Sequence, residues 1–247
     1  MYIDSHIHLQ DYKTQDIKNV VINAAKNGVT HFINPSAHPA DWNEVEKLAD
    51  LYPEVIPAFG VHPWHINDVP EAWEQILENM LKKHKTAFVG ECGIDRLKNS
   101  DTAGQIKILR YHAELAQKYN RPLIIHSVKA DNEMAELFSV FPRRTIFHSF
   151  TGSAEWGRQI QKQHFFIGLN FSILRKNHAA EIMRSLNLQQ ILLETDGPYQ
   201  NFIAGAETLP QNLPDLAGKI ADLLHMPFTE FTNIIIENQK KFLGEIK

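Results

Sequence analysis

The feature that most constrains the fold is an alternation, repeated eight times, of a short apolar run and a longer stretch with helical periodicity. The runs predict strands at 2–9, 30–36, 55–61, 86–94, 122–128, 145–150, 164–171 and 190–196. The other stretches predict helices at 14–27, 41–51, 71–84, 102–119, 130–140, 154–163, 177–186, 213–225 and 228–243. Eight strand–helix units predict a closed parallel barrel, the TIM (β/α)8 fold, with a doubly wound open sheet as the alternative.

Length and composition predict a soluble α/β protein. We expect one domain over 1–247, because 43% of the residues are hydrophobic and no linker or repeat interrupts the pattern. The net charge of −4 argues against a broad basic surface for duplex nucleic acid. A single cysteine, Cys92, and the lack of a leader or of an 18-residue apolar run predict a cytoplasmic protein, without membrane contact and monomeric or weakly oligomeric.

Imidazole and carboxylate side chains gather where the predicted strands end. They are His6, His8, His62, His65, Glu91, His126, His148, Glu194 and Asp196. In a (β/α)8 barrel the active site is built at the carboxyl ends of the strands. The pattern therefore predicts an active site at that rim.

The first predicted strand, 2–9, has one apolar and one polar face. His6 and His8 are two positions apart, so on a strand their side chains point the same way. Two neutral imidazoles on one edge can bind one metal ion. The pair alone is a weak motif, and the alternative is two partly buried histidines that hydrogen-bond to the backbone. The other polar groups at the same rim favour a metal site.

Six motifs in this order resemble the TatD-type metal-dependent hydrolases of the amidohydrolase superfamily. They are "DSHIHL", "GVHPWH", "GECGID", "PLIIHS", "FHSFTG" and "LLETDGP". The resemblance extends from residue 3 to residue 244. It implies a TIM barrel and a divalent-metal-dependent deoxyribonuclease.

The resemblance also implies two metal ions and a ligand set that agrees with the residues at the rim. The first ion would be held by His6, His8 and Asp196, the second by His126 and His148, and Glu91 would bridge the two. Glu91 stands where other amidohydrolases have a carboxylated lysine. Mixed nitrogen and oxygen ligands suit Zn, Mn, Co or Ni, and Mg where water completes the shell, so the metal is left open.

The chemistry expected of this set is hydrolysis by a water held between two ions, with Glu91 and Asp196 as the catalytic carboxylates. Asp196 would take the proton of that water as general base. His62 is predicted to contact the substrate, and His65 is a weaker candidate for the same role. Trp64 either stacks on a base or covers the barrel mouth.

Three further polar or reactive residues are predicted to support the site or to lie outside it. Asp4 and Glu194 each precede a predicted ligand by two residues and would orient it. Cys92 would be a buried small residue on the opposite face from Glu91. The remaining histidines receive no function, namely His31, His38, His84, His112, His164, His178 and His225.

Two departures from the family pattern leave the substrate open. Val128 stands where an arginine is common, and residues 197–215 contain no Lys or Arg. Phosphate would then be held by the ions, by His62 and by cations of neighbouring loops, for which the candidates are Lys129, Arg96 and Arg175. The leading hypothesis is a phosphodiesterase acting on DNA single strands or ends, or on a small phosphoester. The alternatives are hydrolysis of a small carboxyl ester, amide or aminoacyl ester, and a non-catalytic metal-binding protein.

Overall fold

The protein has the TIM (β/α)8 barrel fold, as the sequence predicts, rather than an open doubly wound sheet; the computed structural model describes residues 1–200 and 204–244. The eight parallel strands are β1 (Tyr2–Asp4), β2 (Val29–Pro35), β3 (Val55–Phe59), β4 (Phe88–Asp95), β5 (Leu123–Val128), β6 (Thr145–Phe147), β7 (Phe166–Leu169) and β8 (Ile191–Leu193). Among the described residues the α-helices are α1 (Ile17–Lys26), α2 (Trp42–Leu51), α3 (Trp73–Lys83), α4 (Thr102–Lys118), α5 (Asp131–Leu137), α6 (Ala154–Lys162), α7 (Ala179–Ser185), α8 (Leu213–Leu224) and α9 (Phe228–Leu243).

Side-chain caps explain where several helices begin. The Asp16 carboxylate accepts the backbone N–H of Lys18 at the start of α1, and Asp101 accepts that of Gly104 at the start of α4. Such caps satisfy amide groups that have no partner within the helix. In the described ranges, no helix has both the length and the apolar character needed to cross a bilayer.

The chain packs as two compact units, which are described separately. The first unit comprises residues 1–33 and the described residues from 149 onward, and the second comprises residues 34–148. The expectation of one domain over the whole chain stays a prediction.

In the second unit, β4 and β5 pair closely around a glycine. All residues of β4 are buried, and Gly93 is opposite His126 in the parallel register. Gly93 has a φ of +156°, and a Cβ added there would lie 1.9 Å from the carbonyl oxygen of His126. Only glycine therefore fits at this point, and the close approach fixes the backbone that carries His126.

In the first unit, β1 is shorter than the predicted strand. It ends at Asp4 instead of residue 9, because the backbone leaves extended geometry and His8 has φ −102° and ψ 79°. The prediction that His6 and His8 lie on the strand is thus wrong. The segment still follows the end of β8, since His8 N–H donates to Gly197 O at 2.7 Å and Asp196 N–H donates to His6 O at 2.9 Å.

Candidate metal centre

The first cluster, defined as His6, His8 and Asp196, lies in the first unit. His6 Nε2 is 3.1 Å from His8 Nε2, and Asp196 Oδ1 is 4.0 Å from the former and 3.7 Å from the latter. All three side chains are buried. Two ligand atoms on one tetrahedral zinc ion, with bonds of about 2.1 Å, stand about 3.4 Å apart. The observed separations bracket this value, so the donor set fits one divalent cation.

Asp4 supports the first cluster through the backbone. Its carboxylate accepts the Thr195 N–H at 2.9 Å, the Thr195 hydroxyl at 2.5 Å and the His6 N–H at 3.4 Å. Burial raises the pKa of Asp4 to about 8, although these hydrogen bonds act in the opposite direction. Asp4 therefore joins His6 to Thr195, the residue before Asp196. None of these three hydrogen bonds involves an imidazole ring.

Glu194, which precedes Asp196 of the first cluster by two residues, is fully buried. Its carboxylate accepts the Ser149 N–H at 2.5 Å and the Asn170 side-chain N–H at 3.4 Å. Asn170 also donates to the Ser149 hydroxyl at 2.9 Å. Glu194 thus ties the end of β8 to the segments that follow β6 and β7, and its predicted role in orienting a ligand stays a prediction.

The second cluster, defined as Glu91, His126 and His148, lies in the second unit. Glu91 Oε1 is 2.7 Å from His148 Nε2 and 2.9 Å from His126 Nδ1, and the two nitrogens are 3.2 Å apart. Glu91 comes from the middle of β4 and His126 from β5, while His148 directly follows β6. One carboxylate oxygen and two imidazole nitrogens converge here, which is again a donor set suited to a divalent cation.

The other ring nitrogen of His126 faces Asp95, a residue that the sequence analysis did not single out. His126 Nε2 is 3.3 Å from Asp95 Oδ2, which also accepts the Trp64 indole N–H at 2.7 Å. The second oxygen, Oδ1, accepts the backbone N–H groups of Leu97 at 2.8 Å and Lys98 at 3.1 Å. Burial acts to raise the pKa of Asp95, but the hydrogen bonds outweigh it and hold this pKa well below its usual range.

A signal for Asp95 was present in the sequence. Glu91 and Asp95 are four residues apart on one strand, so the strand period places both side chains on the same face. That signal was missed because the predicted strand ended at residue 94.

His62, a predicted substrate contact, lies against the second cluster. Its Nε2 is 3.2 Å from His126 Nδ1 and 3.4 Å from Glu91 Oε1, and its Nδ1 accepts the Trp64 backbone N–H at 3.2 Å. Because Nδ1 is an acceptor, the neutral ring carries its proton on Nε2. Burial lowers the pKa of His62 to about 4, so the ring is a neutral donor at pH 7.

His65, the weaker substrate candidate, lies in a separate group with His38 and Asp68. The His38 and His65 ring centroids are 4.7 Å apart, and His65 Nδ1 is 3.5 Å from Asp68 Oδ2. His38 Nδ1 accepts the Ala40 N–H at 2.9 Å, so its neutral ring carries the proton on Nε2. A cation on His38 would have to break this cap, and the group is better suited to donating hydrogen bonds.

Two of the basic residues that are predicted to bind phosphate, Arg96 and Arg175, contact other side chains. Arg96 Nη1 is 3.2 Å from Glu133 Oε1, and Arg175 Nη2 donates to Gln200 Oε1 at 2.9 Å. Lys98, which the sequence analysis did not name, lies over the half-exposed Trp64 ring with Nζ 5.7 Å from its centroid. Of the cation-free segment 197–215, residues 201–203 lie outside the described residues.

Cys92 is buried, and its Sγ–H donates to the Ile124 carbonyl oxygen at 3.6 Å. Burial raises the pKa of this thiol well above its ordinary value. These properties agree with the small buried residue that the sequence predicts and give no nucleophilic thiolate at neutral pH.

Comparison with known proteins gives matches over almost the whole chain. A family model described as TatD related DNase matches residues 3–244. An uncharacterized metal-dependent hydrolase of Methanocaldococcus jannaschii is 24% identical, with 98% of this chain and 96% of the relative covered. A putative deoxyribonuclease of Vairimorpha ceranae is 23% identical over 99% of this chain and 96% of its own length. The crystal structure of a TatD homologue from Escherichia coli superposes with a TM-score of 0.90 at 26% identity, covering 100% of this chain and 98% of the other.

Proposed function

From the fact that the chain belongs to the TatD-related DNase family of metal-dependent hydrolases, we propose that it hydrolyses phosphodiester bonds in DNA single strands or ends. The observation that carries the proposal is the composition of the two clusters, in which buried imidazole and carboxylate atoms stand at separations suited to divalent cations. The net charge of −4 favours a short or single-stranded substrate over an extended duplex.

The proposed metal ligands are those that the sequence analysis selected. His6, His8 and Asp196 would hold the first ion, His126 and His148 the second, and Glu91 would bridge them. The separations within each cluster and the barrel rule for active sites support this assignment. Bound divalent ions polarise a phosphoryl oxygen and lower the pKa of an attacking water.

The residues of the chain have distinct parts in this proposal. Asp196 accepts the proton of the attacking water on a carboxylate oxygen, as a general base. His62 donates its Nε2–H to a phosphoryl oxygen, in keeping with the tautomer that the Trp64 N–H selects. His65 makes a more distant contact to the substrate, since its ring centroid is 6.3 Å from that of His62.

A second candidate function is hydrolysis of a small carboxyl ester, amide or aminoacyl ester by the same groups. The observation in its favour is the engagement of Arg96 with Glu133 and of Arg175 with Gln200, which leaves fewer cations for phosphate. A bidentate arginine is the group that holds phosphate best.

The test combines metal analysis with a substrate panel. Purified protein is reconstituted with each of the five candidate metals in turn and assayed on single-stranded oligonucleotides, bis-p-nitrophenyl phosphate, phosphomonoesters and small carboxyl esters. The proposal expects metal-dependent cleavage of the phosphodiesters. Turnover of carboxyl esters alone would favour the second candidate, and bound metal without any turnover would favour a non-catalytic metal-binding protein.

A further inference from the structure

We propose that Trp64 stacks on a nucleobase of a single-stranded DNA substrate, namely the base next to the phosphate that His62 contacts. The base platform, defined as the ring of Trp64 and the side chain of Lys98, lies in the second unit, where Trp64 follows β3 and Lys98 follows β4. Of the two roles that the sequence leaves open for Trp64, this one uses the ring as a binding surface. The inference rests on the proposed function because it names a part of the DNA substrate.

Trp64 differs from the other tryptophans of the chain in its exposure. Trp42, Trp73 and Trp156 are at most 8% exposed and belong to the core, whereas Trp64 is 48% exposed. A large aromatic ring that stays in water adds little to a core, and exposed apolar surface beside an active site marks a place where a ligand binds. The exposure of Trp64 therefore favours a ligand contact over a purely structural cover of the barrel mouth.

The Trp64 indole is exposed and yet held in one orientation. Its N–H donates to Asp95 Oδ2 at 2.7 Å, and the other oxygen of this carboxylate accepts the backbone N–H groups of Leu97 and Lys98. The centroid of the indole is 4.8 Å from that of the His62 ring. A ring fixed by such contacts loses little freedom when a flat ligand stacks on it, so the entropic cost of binding is small.

No aromatic ring of the described residues lies parallel to the Trp64 indole. The planes of His62 and His126 meet it at steep angles of 84° and 74°. Over the indole lies the Lys98 ammonium, 5.7 Å from the ring centroid. Lys98 forms no ion pair with a described residue, so neither partner of this contact is fixed by a salt bridge. The parallel stacking position on Trp64 is thus left to a ligand.

The neighbour of the platform identifies this ligand as a nucleobase. His62 is the proposed donor to a phosphoryl oxygen, and it lies against Trp64. In a nucleotide one sugar joins the phosphate to the base, so a flat surface beside the phosphate donor is within reach of the adjacent base. Aromatic stacking accepts every base, because each has a π face. Lys98, with its long and flexible side chain, can leave the ring and pair with the phosphate.

The test measures binding of a short single-stranded oligonucleotide and of matched strands from which one base at a time is removed. Zn2+-loaded Asp196→Asn, in which cleavage is slow, serves as the parent protein. We expect one abasic position to weaken binding by about 5- to 100-fold, the effect of one stacked base. Trp64→Ala should weaken binding of the intact strand by the same factor and should bind that abasic strand as the parent does, because base and ring contribute a single shared contact.

Two further variants separate the ring face from other effects. Trp64→Phe keeps an aromatic face and removes only the N–H donor to Asp95, so we expect it to retain most of the binding. Phe228→Ala is the matched control, since Phe228 on α9 is also 48% exposed, and it should bind as the parent does. Equal losses in Trp64→Phe and Trp64→Ala, or an equal effect of Trp64→Ala on intact and abasic strands, would overturn the inference.

Indole fluorescence supplies a readout that does not require Trp64→Ala to fold. The emission of Trp64 is the difference between the parent and Trp64→Phe. At saturation we expect the intact strand to quench this emission and the strand without the stacked base to quench it little. Equal quenching by both strands would overturn the inference. Cleavage of DNA without any base dependence of binding would count against the inference alone, whereas base-dependent binding without hydrolysis of any phosphodiester would count against the proposed function alone.

Discussion

The two clusters differ in how far their donor atoms converge without a cation. In the first cluster the carboxylate oxygen of Asp196 stays 3.7 to 4.0 Å from the imidazole nitrogens. In the second, Glu91 Oε1 is within 2.9 Å of both His126 and His148. All three donor atoms of the second cluster thus lie at hydrogen-bond distance from one another, whereas in the first cluster only the two imidazole nitrogens do.

The two clusters also differ in the backbone that carries them. Glu91 lies within β4 and His126 within β5, and the two strands pair in parallel with a shift of register between Val89 and Cys92. His6 and His8 follow the end of β1, and Asp196 has a φ of +55°, a left-handed conformation that is uncommon for a residue with a side chain. Two members of the second cluster therefore lie on paired strands, while the first cluster depends on individual backbone hydrogen bonds beyond the ends of β1 and β8.

The largest expected effect is that of Glu91→Gln, which tests whether the second cluster is organised by its carboxylate. The amide removes the charge that both imidazole nitrogens approach and that is proposed to bridge the ions. We expect hydrolysis to fall by about 10³-fold, because ligand and charge losses of this kind cost several kcal/mol in the transition state. Steady-state rates with metal analysis measure it, and Glu114→Gln on the exposed side of α4 is the control. Near-normal turnover would refute the bridging role.

Asp196→Asn tests the carboxylate of the first cluster. The amide keeps an oxygen ligand and the shape of the side chain, but it cannot accept a proton as a base. We expect a rate reduction of about 10²-fold, with Zn2+ retained at the second cluster. An unchanged rate would show that the proton of the attacking water goes to another acceptor.

We expect a pH-dependent loss of stability that is caused by protonation of His112, a buried residue of α4. Its Nε2 accepts the N–H of Val61, the neighbour of His62, and its Nδ1–H donates to Ile108 O at 2.8 Å. Burial lowers the pKa of His112 to about 4. In the unfolded chain this imidazole binds a proton near pH 6.5. The free energy of unfolding is therefore highest above that pH, and it falls by about 3 kcal/mol as the pH drops to 4.

Urea unfolding of the metal-free protein between pH 4 and 7 measures this effect. His112→Gln should lose that part of the pH dependence, while His31→Gln, at an exposed position on β2, should keep it. Equal slopes in the wild type and His112→Gln would show that the neutral buried imidazole is not the cause.

The smallest expected effect is the salt dependence of substrate binding. Arg96 and Arg175 have protein partners, so two of the three predicted cations are partly engaged before phosphate binds. For binding of a short single-stranded oligonucleotide to Asp196→Asn, we expect log K to fall with log salt at a slope of about −1 to −2. A much steeper slope would show that a longer row of basic residues contacts the oligonucleotide. The absence of binding would favour the small-ester substrate.

Much of the fold was predictable, because parallel strands buried on both faces leave continuous apolar runs in the sequence. All eight strands and nine helices of the described residues follow the predicted order. The end of β1 was not predictable from alternation, since residues 5–8 keep an alternating pattern. Their backbone N–H groups nevertheless donate in turn to Leu193, Ile33 and Gly197. Apolar periodicity reports burial, and here burial continues beyond the strand.

The polar residues that gather in the two clusters were also predictable, whereas their supporting contacts were not. His6 and Glu91 are buried polar residues and His126 is half-buried, and each lies in or next to an apolar run of the sequence. The contact of Trp64 with Asp95 joins residues that are 31 positions apart, and no local pattern encodes it. The tautomer of His62 follows from the backbone N–H of Trp64, a contact that the residue types alone do not show.

The close approach of β4 and β5 bears on any attempt to redirect this protein to new substrates. Every side chain other than hydrogen at position 93 would strike the His126 carbonyl oxygen, so a mutant library that includes this position consists mainly of damaged proteins. Beyond the strand, Leu97 is 68% exposed and Lys98 borders the Trp64 ring. Diversity is best introduced at those two positions, where a new side chain can meet a ligand without moving the strands.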